Sequence, residues 1–416
     1  MPLEARILFL IVFDCSGVVN WQATYALPPE LDDHLTYLSL SSRRWSVQPP
    51  AESTRRDPKA SVLFSDRVHI IPRQASSPTS RSAPGCNMAA PPKTCKVILA
   101  DTIAKKLLKE VQETLASIGN GKPRLVAFLA NDDEAAVKYA EYSQKTCEEN
   151  GFTFDLRRID KEALEQEVRT ANEDDKVNGI LVYYPIWPDN VAKDNYIKES
   201  VALEKDVEGL CFKHLSNMYH NVRYLDPPTN LKKSILPCTP LAVLKILEHL
   251  HIYNPILAEG NRLYGKTITV INRSEVNGRP LAALLANDGA QVYSVDITGV
   301  QLFTRGQGIK SHRHQVEDKE GWDLKNVLPI SDVVIGGVPV ESYKLPIDLI
   351  RDGAVCINFS SFRNFDGPAV KEKASIYVPS VGKVTIACLL RNLVRLIANH
   401  PDKTHQQARN EAFVDG

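Results

Sequence analysis

The stretch Thr267 to Pro280 reads TITVINRSEVNGRP and decides the fold of the second half of the chain. Its first residues are uncharged and rich in β-branched side chains, which is typical of a strand buried in a parallel sheet, and a helix is predicted from Gly278. Backbone N–H groups at the start of such a helix attract phosphate, and small residues let a ligand approach closely. The turn supplies a cation (Arg273), a hydroxyl (Ser274) and one glycine, which predicts a nucleotide site. Because it lacks the G-x-G-x-x-G pattern, a capped surface turn is the alternative.

Four more short apolar segments follow, at residues 291–296, 332–337, 354–359 and 375–379. Together with 267–272 they make five strands separated by helical or loop segments. This order predicts a Rossmann-like, doubly wound parallel sheet over residues 241–383. Residues 298–328 are charged and lack a core pattern, so we interpret them as an insertion.

Asp296 ends the second of these strands, about 24 residues after Asn272. A carboxylate at this position of a Rossmann-like sheet accepts hydrogen bonds from the adenosine ribose hydroxyls and repels a 2′-phosphate. The cofactor is therefore predicted to be NAD rather than NADP, and a solvated aspartate at a strand end is the alternative. The third strand ends in the small residues Gly337, Val338 and Pro339, which suit close approach of a dinucleotide.

The first half of the chain also alternates helix and strand. Ile103, Leu107, Val111 and Leu115 form an apolar stripe on one predicted helix face. Strands are predicted at 124–130, 152–159 and 179–185, with helices between them, which favours βαβ units. We expect an α/β protein of two domains: residues 88–240, completed by a terminal helix at 384–402, and residues 241–383.

Composition excludes several classes of protein. Fifty basic residues balance fifty acidic ones, so no net field favours nucleic acid or an anionic membrane. The eight cysteines include no C-x-x-C pair, which disfavours zinc ribbons and a disulfide framework. His312 and His314 lack a second ligand pair and are interpreted as solvated loop residues, so no metal site is predicted. We expect a small-molecule ligand, no transmembrane helix and a reducing, cytoplasmic location.

The two ends of the chain differ from the rest. Residues 1–87 are rich in proline and serine after residue 48 and lack a lasting apolar period. We interpret them as a disordered extension or as the artefact of a gene model that begins too early. A mitochondrial presequence is disfavoured because acidic residues recur there. Residues 403–416 are interpreted as a disordered tail.

Five sequence blocks in one order carry a resemblance to a known family. They are Tyr139, K-D-V-E-G at 205–209, P-C-T-P at 237–240, N-R-S to G-R-P at 272–280, and V-G-K-V-T at 381–385. Over residues 89–402 the chain resembles the methylenetetrahydrofolate dehydrogenase/cyclohydrolase family. It is most similar to the fungal NAD-dependent monofunctional branch, which also has the R-S-E turn and the aspartate after Y-S-V.

The resemblance implies a function and a set of site residues. The expected reaction is hydride transfer from 5,10-methylenetetrahydrofolate to NAD, in a homodimer with folate in the cleft between the domains. Substrate-binding residues would be Tyr139, Tyr183, Asp206, Glu208 and Pro237. Catalytic candidates are Cys238, Tyr139 and Ser143. Cofactor-binding candidates are Arg273, Ser274, Asp296, Ile297, Gly337, Val338, Pro339, Ser361 and Thr385.

Some of these roles stay open at the level of sequence. Tyr139 is expected to stack on the aromatic middle of the folate, and a core tyrosine is the alternative. Either Asp206 or Glu208 would accept from the pterin N–H groups, unless both belong to a solvated turn. Cys238 precedes a helix start that would lower the pKa of its thiol, and a packed small side chain is the alternative.

Two departures from the bifunctional pattern of the family bear on the reaction. Ser143 stands where the pattern has a lysine, four residues after Tyr139, and Tyr183 stands where it has a glutamine. Lys145 is two residues after Ser143, about 200° around the helix, so it points away from this face and cannot replace that lysine. Hydrolysis of the methenyl product needs proton transfers that serine supports poorly, so we expect weak or absent cyclohydrolase activity. The alternatives are a bifunctional dehydrogenase/cyclohydrolase and a non-catalytic folate or NAD binding protein.

Overall fold

The computed structural model describes residues 7–13, 19–25, 94–119, 121–131, 134–306 and 313–400. Residues 1–84 and 85–416 are two separate units. In the first unit, strands β1 (Ile7–Phe13) and β2 (Val19–Tyr25) pair antiparallel, which corrects the expectation of a wholly disordered extension over 1–87. The rest of that prediction, and the predicted tail 403–416, lie outside the described residues. Within the described chain, no helix combines the length and apolar character needed to cross a membrane.

The second unit contains eleven strands and ten α-helices within its described residues. The strands are β3 (Lys96–Val97), β4 (Arg124–Leu129), β5 (Thr153–Arg158), β6 (Gly179–Val182), β7 (Thr267–Ile271), β8 (Gln291–Asp296), β9 (Gly299–Thr304), β10 (Gln315–Lys319), β11 (Val333–Gly336), β12 (Val355–Asn358) and β13 (Ile376–Val378). The helices are α1 (Ala100–Ile118), α2 (Glu134–Glu149), α3 (Leu164–Glu173), α4 (Val191–Ser200), α5 (Phe212–Tyr219), α6 (Cys238–His249), α7 (Gly278–Asn287), α8 (Leu324–Val327), α9 (Gly367–Lys373) and α10 (Gly382–Asn399).

The first sheet has three parallel strands in the order β5-β4-β6. Alternate residues of β4 point to opposite faces, as the period of a strand requires. Leu125 and Ala127 join one apolar cluster, while Val126 and Phe128 join another on the opposite face. Burial on both faces explains the uninterrupted apolar run in this part of the sequence.

The second sheet has eight strands in the order β10-β9-β8-β7-β11-β12-β13-β3. The six from β8 to β3 are parallel, with helices between successive strands of the central part. The predicted α/β class with a Rossmann-like sheet is confirmed. The sheet also takes in β3, whose residues lie within the range 88–240 that was assigned to the first domain, so the expected boundary does not hold at residues 96–97.

Two strands of the predicted insertion at 298–328 belong to this sheet, and the expectation that the segment contributes nothing to a core is wrong. β9 pairs antiparallel with β8, and β10 pairs antiparallel with β9. Phe303 on β9 is 0% exposed and packs into the main core of the sheet. β10 is the edge strand and reads QVEDK, so its exposed charged residues concealed the strand from a pattern search.

Helix α10 belongs to the cores of both sheets. Val384 and Ala387, near its start, pack with β7 and α6, whereas Leu390 and Leu393 pack with β4. A single helix therefore fixes the first sheet relative to the second, and the residues at its start lie where the two halves meet.

Candidate active site

The turn between β7 and α7 is too tight for any residue but glycine at position 278. A Cβ on Gly278 would lie 1.8 Å from the carbonyl oxygen of Asn272. Asn272 itself has a φ of 100°, and its side-chain amide donates to the Gly337 carbonyl at 2.6 Å. Ser274 Oγ accepts from the backbone N–H groups of Asn277 and Gly278, each at 3.3 Å, and so caps the start of α7. The turn thus holds a helix N-terminus against the end of β11.

Asp296 is anchored at the carboxyl end of β8. Its Oδ2 accepts from the Arg273 backbone N–H at 2.6 Å, and its Oδ1 accepts from that of Ile297 at 2.7 Å. Each carboxylate oxygen has a second lone pair, so two ribose hydroxyls can still donate to this half-buried group. The next side chain, Ile297, which was predicted to contact the cofactor, is 100% exposed.

The guanidinium of Arg273, which was predicted to serve as the phosphate cation, makes hydrogen bonds within the protein. It donates to the carbonyls of Ser294 at 3.0 Å and Gly299 at 2.5 Å, and to Thr298 Oγ1 at 3.2 Å. The side chain therefore fastens the turn between β8 and β9, which holds Asp296 in place.

The loop after β11 carries the predicted residues Gly337, Val338 and Pro339. A Cβ on Gly337 would lie 1.8 Å from the ring of Phe359, so only glycine fits there. Val338 donates to Asn364 Oδ1 at 2.8 Å, and its carbonyl accepts from Asn364 Nδ2 at 2.9 Å. Pattern reading did not find Asn364, because its role depends on a contact across the sheet. Among the other cofactor candidates, Ser361 is exposed near this loop, and Thr385 is buried in the first turn of α10.

Tyr139 and Tyr183 form the aromatic part of the substrate half. Their rings meet edge to face, with centroids 6.1 Å apart. Tyr139 also lies against the start of α10, since its Cε2 is 3.9 Å from the place a Gly382 Cβ would take. Burial raises the pKa of both phenols. The Tyr183 hydroxyl is buried, and the neighbouring Ser143 hydroxyl partly opposes the rise in its pKa.

The charged residues of the K-D-V-E-G loop have different hydrogen-bond partners. Lys205 is buried, and its ammonium donates to the carbonyls of Ala171, Asn172 and Asp174 at the end of α3. Asp206 accepts from the backbone N–H groups of Glu208, Gly209 and Cys211 at 2.9–3.1 Å. Both side chains therefore hold the loop together.

Glu208 is the carboxylate that remains for a ligand. One oxygen accepts from the Val182 backbone N–H at 3.2 Å, at the carboxyl end of β6. Burial raises the pKa of Glu208 to about 8, against the opposing effect of this hydrogen bond. Of the two acidic candidates, Glu208 is thus the one whose chemistry suits pterin recognition.

Cys238 does not have the lowered thiol pKa that its place at a helix start suggested. Burial and the nearby Glu208 raise that pKa well above its usual range. The thiol donates to the Val207 carbonyl at 3.2 Å, and Asn392 Nδ2 lies 3.5 Å from the sulfur. Desolvation outweighs the helix dipole here, so the group is a hydrogen-bond donor at neutral pH. Pro237 precedes it at the helix cap.

Asn392, on α10, links the two substrate motifs and was not found from sequence. Its amide donates to the carbonyls of Val207 at 2.9 Å and Leu236 at 2.8 Å. The K-D-V-E-G and P-C-T-P segments are therefore held by one side chain that follows them by more than 150 residues.

Ser143 is buried one turn after Tyr139, where its hydroxyl donates to the Tyr139 carbonyl at 2.7 Å. Lys145 lies on the exposed side of α2, with Nζ 3.9 Å from Glu149. The structure therefore supports the exclusion of Lys145 from this site.

Two further sets of side chains resemble metal or ligand sites, but their polar atoms or rings already contact other parts of the protein. Asp206, Cys211 and His214 place candidate metal-ligand atoms within 4.8 Å of one another, yet the Asp206 oxygens already accept three backbone N–H groups. His314 is 9% exposed and stacks on Phe303 with centroids 5.4 Å apart, which corrects its interpretation as a solvated residue. Burial lowers the pKa of His314 to about 4. His312 lies outside the described residues.

Comparisons with known proteins show which family and which relatives this chain is similar to. Residues 98–208 match the family described as tetrahydrofolate dehydrogenase/cyclohydrolase, catalytic domain. The chain is 55% identical to the methylenetetrahydrofolate dehydrogenase [NAD(+)] of Schizosaccharomyces pombe over 317 residues, which covers 76% of this chain and 98% of that protein.

Solved structures give the same picture. The NAD-dependent 5,10-methylenetetrahydrofolate dehydrogenase of Saccharomyces cerevisiae superposes with a TM-score of 0.70 at 54% identity, covering 74% of this chain and 99% of that one. The bifunctional FolD dehydrogenase/cyclohydrolase of Campylobacter jejuni superposes with a TM-score of 0.57 at 27% identity, covering 73% and 99% of the two chains.

Proposed function

Since this chain belongs to the tetrahydrofolate dehydrogenase/cyclohydrolase family, we infer that it oxidises 5,10-methylenetetrahydrofolate to the 5,10-methenyl cation with NAD. The observation that carries this inference is the position of two carboxylates at the carboxyl ends of strands: Glu208 accepts from Val182, the last residue of β6, and Asp296 is the last residue of β8. One carboxylate suits a pterin, the other suits an adenosine ribose, and α10 joins the sheets that present them.

The residues of the cofactor half fit NAD. Ser274 already accepts from the N–H groups of Asn277, Gly278 and Arg279, so the positive end of the α7 dipole, rather than free N–H groups of its first turn, favours a pyrophosphate beside this turn. Asp296 selects against a 2′-phosphate. When bound, NAD supplies the hydride acceptor, at C4 of its nicotinamide ring. The described protein groups position that ring and the substrate, and no proton needs to leave the substrate during the transfer.

Glu208 and Tyr139 orient the folate. An ionised Glu208 accepts from the two parallel N–H donors of a pterin, and these donors offset the cost of burying its charge. Tyr139, with Tyr183 against its edge, offers a flat surface for the aromatic middle of the folate. Holding the bridge carbon in one place contributes directly to the rate of hydride transfer.

We propose further that cyclohydrolase activity is weak or absent. Three candidate groups of the substrate half are Tyr139, Tyr183 and Cys238, and burial raises the pKa of each, so all three keep their protons at neutral pH. Ser143 directs its hydroxyl to a backbone carbonyl. None of these four groups can take a proton from an attacking water.

Initial-rate assays of both reactions with both cofactors test this function. We expect NADH formation at 340 nm with methylenetetrahydrofolate, a lower rate with NADP, and decay of methenyltetrahydrofolate at its uncatalysed rate. Accelerated decay would establish a bifunctional enzyme, and binding without turnover would establish a non-catalytic protein.

A homodimer in a reducing, cytoplasmic location is a further proposal. The family resemblance supports the dimer, and the six cysteines of the described residues, all free, support the location. Sedimentation equilibrium and imaging of a tagged full-length chain would test the two statements separately.

A further inference from the structure

A lysine stands beside the substrate tyrosine where three helices meet. Lys383 follows Gly382 in the first turn of α10, and the position of a Gly382 Cβ is 3.9 Å from the Tyr139 ring. The Lys383 ammonium donates to the carboxylate of Asp101 on α1. It also lies 5.6 Å from the ring centroid of Tyr142, three residues after Tyr139 on α2. Lys383 therefore lies beside two neighbours of Tyr139, the residue of the predicted stacking surface.

This cation is open to solvent, unlike the groups at the pterin end. The side chains of Lys383 and Asp101 are each 45% exposed. Glu208 is half-buried, and the charges that act on it are Asp206 and Lys198 rather than Lys383. The site thus has a closed acidic end and an open basic end, which share Tyr139 as a neighbour.

The substrate has the matching polarity. A folate has a pterin at one end, an aromatic ring in the middle, and a glutamate tail with two carboxylates, more when further γ-linked glutamates are added. With the pterin at Glu208 and the middle ring at Tyr139, the tail leaves toward solvent at the open end. An ammonium has three N–H donors, of which Asp101 uses one and the Tyr142 hydroxyl a second, so the third can serve another carboxylate.

We propose that Lys383 is a specificity-determining residue that binds the glutamate tail of the folate. The proposal rests on the function inferred above. Asp101 and Tyr142 hold the ammonium beside the cleft, and the exposed ion pair with Asp101 is weak enough to be shared with a ligand. Lys383 acts on binding of the tail and is not required for hydride transfer.

The test compares substrates with and without the tail. Initial rates would be measured with methylenetetrahydropteroate, which lacks glutamate, and with the monoglutamyl and pentaglutamyl substrates. For Lys383→Met we expect the KM of the pentaglutamyl substrate to rise about tenfold, because the variant loses one charge-assisted hydrogen bond to the tail. The KM of the pteroate and every kcat should change less than about twofold, and Lys383→Arg should restore the preference for the tail.

Two variants of the same ion-pair cluster complete the design. Lys105→Met removes another cation near Asp101, with Nζ at 4.0 Å and a side chain 80% exposed, and should leave all three KM values unchanged. Asp101→Asn releases Lys383 and should lower the KM of the pentaglutamyl substrate. Raised salt should reduce the advantage of the tail in the unaltered protein, because exposed charges are screened.

Each failure has a separate meaning. An equal rise in KM for all three substrates would make Lys383 a structural tie between helices, and unchanged KM values would place the tail elsewhere; either result overturns the proposal. A thermal melt of each variant detects loss of folding. Absence of NADH formation by the unaltered protein with every substrate would instead refute the inferred function.

Discussion

The backbone N–H of Val182 donates to the carboxylate of Glu208 at 3.2 Å, which ties the end of the first sheet to the K-D-V-E-G loop. The bond positions one carboxylate oxygen and leaves the other for a ligand. Because the pKa of Glu208 is about 8, this residue links substrate binding to pH.

The kcat/KM for the folate should rise with pH up to about 8 and then level off. A pterin with two N–H donors binds the ionised carboxylate, and below pH 8 a growing fraction of free enzyme holds Glu208 protonated. Glu208→Gln should abolish this rise and lower kcat/KM at pH 8 by roughly a hundredfold, as expected for a lost bond to a charged group. A pH-rate profile of both proteins gives the answer, and an unchanged profile in the variant would remove Glu208 from the site.

Replacing Asp296 by serine should shift cofactor use toward NADP. The change removes both the acceptor for the ribose hydroxyls and the repulsion of a 2′-phosphate, so the NAD/NADP ratio of kcat/KM should fall by at least about tenfold. Asp348→Ser, the same change at an exposed position, is the matched control and should leave the ratio unchanged. The same ratio in both variants would show that Asp296 does not meet the ribose.

Gly278→Ala should weaken NAD binding. The new Cβ would lie 1.8 Å from the Asn272 carbonyl, so the turn must move, at a cost of about 1–3 kcal/mol. If that cost falls on the cofactor site, the KM for NAD rises roughly five- to a hundredfold. Gly367→Ala, at the start of α9 with open space around its Cβ, serves as the control. A normal KM for NAD in Gly278→Ala would mean that this turn does not contact the cofactor.

Cys238→Ala should retain most of the dehydrogenase activity. The thiol has a raised pKa and donates to a carbonyl, so the variant loses one weak hydrogen bond and a small buried volume. We expect kcat to fall less than about tenfold, with a lower melting temperature. A loss of kcat above about a hundredfold in a protein that melts normally would restore Cys238 as a catalytic group.

The pair Ser143→Lys with Tyr183→Gln should create measurable hydrolysis of methenyltetrahydrofolate. The lysine would lie beside Tyr139 in a buried setting that lowers its pKa toward neutrality, and the glutamine would offer it an acceptor. Either single change should do less, because it leaves a buried group without a partner. Methenyltetrahydrofolate decay in the double variant no faster than in buffer would place the origin of hydrolysis in other residues.

Local patterns were enough for the parts of the protein in which neighbouring residues decide the outcome. The predictions were correct for the apolar run of β4, for the T-I-T-V-I strand before the glycine turn and for the amphipathic helices. Their burial follows from the repeat of two residues in a strand and 3.6 residues in a helix. The edge strand β10 was missed because four of its five residues are polar, and β3 because two residues have no period.

The sequence by itself therefore determined the α/β class, the family and the motifs that supply the site. Only the tertiary structure decided what each motif residue does. Asp206 accepts hydrogen bonds from backbone N–H groups of its own loop, which leaves Glu208 as the carboxylate for the ligand. Burial keeps the Cys238 thiol protonated. Likewise, Asn392 and Asn364 acquire their roles from carbonyls and amides far away in sequence. The physical reason is that hydrogen-bond partners and desolvation depend on which segments meet in space, and residue order alone does not specify those neighbours.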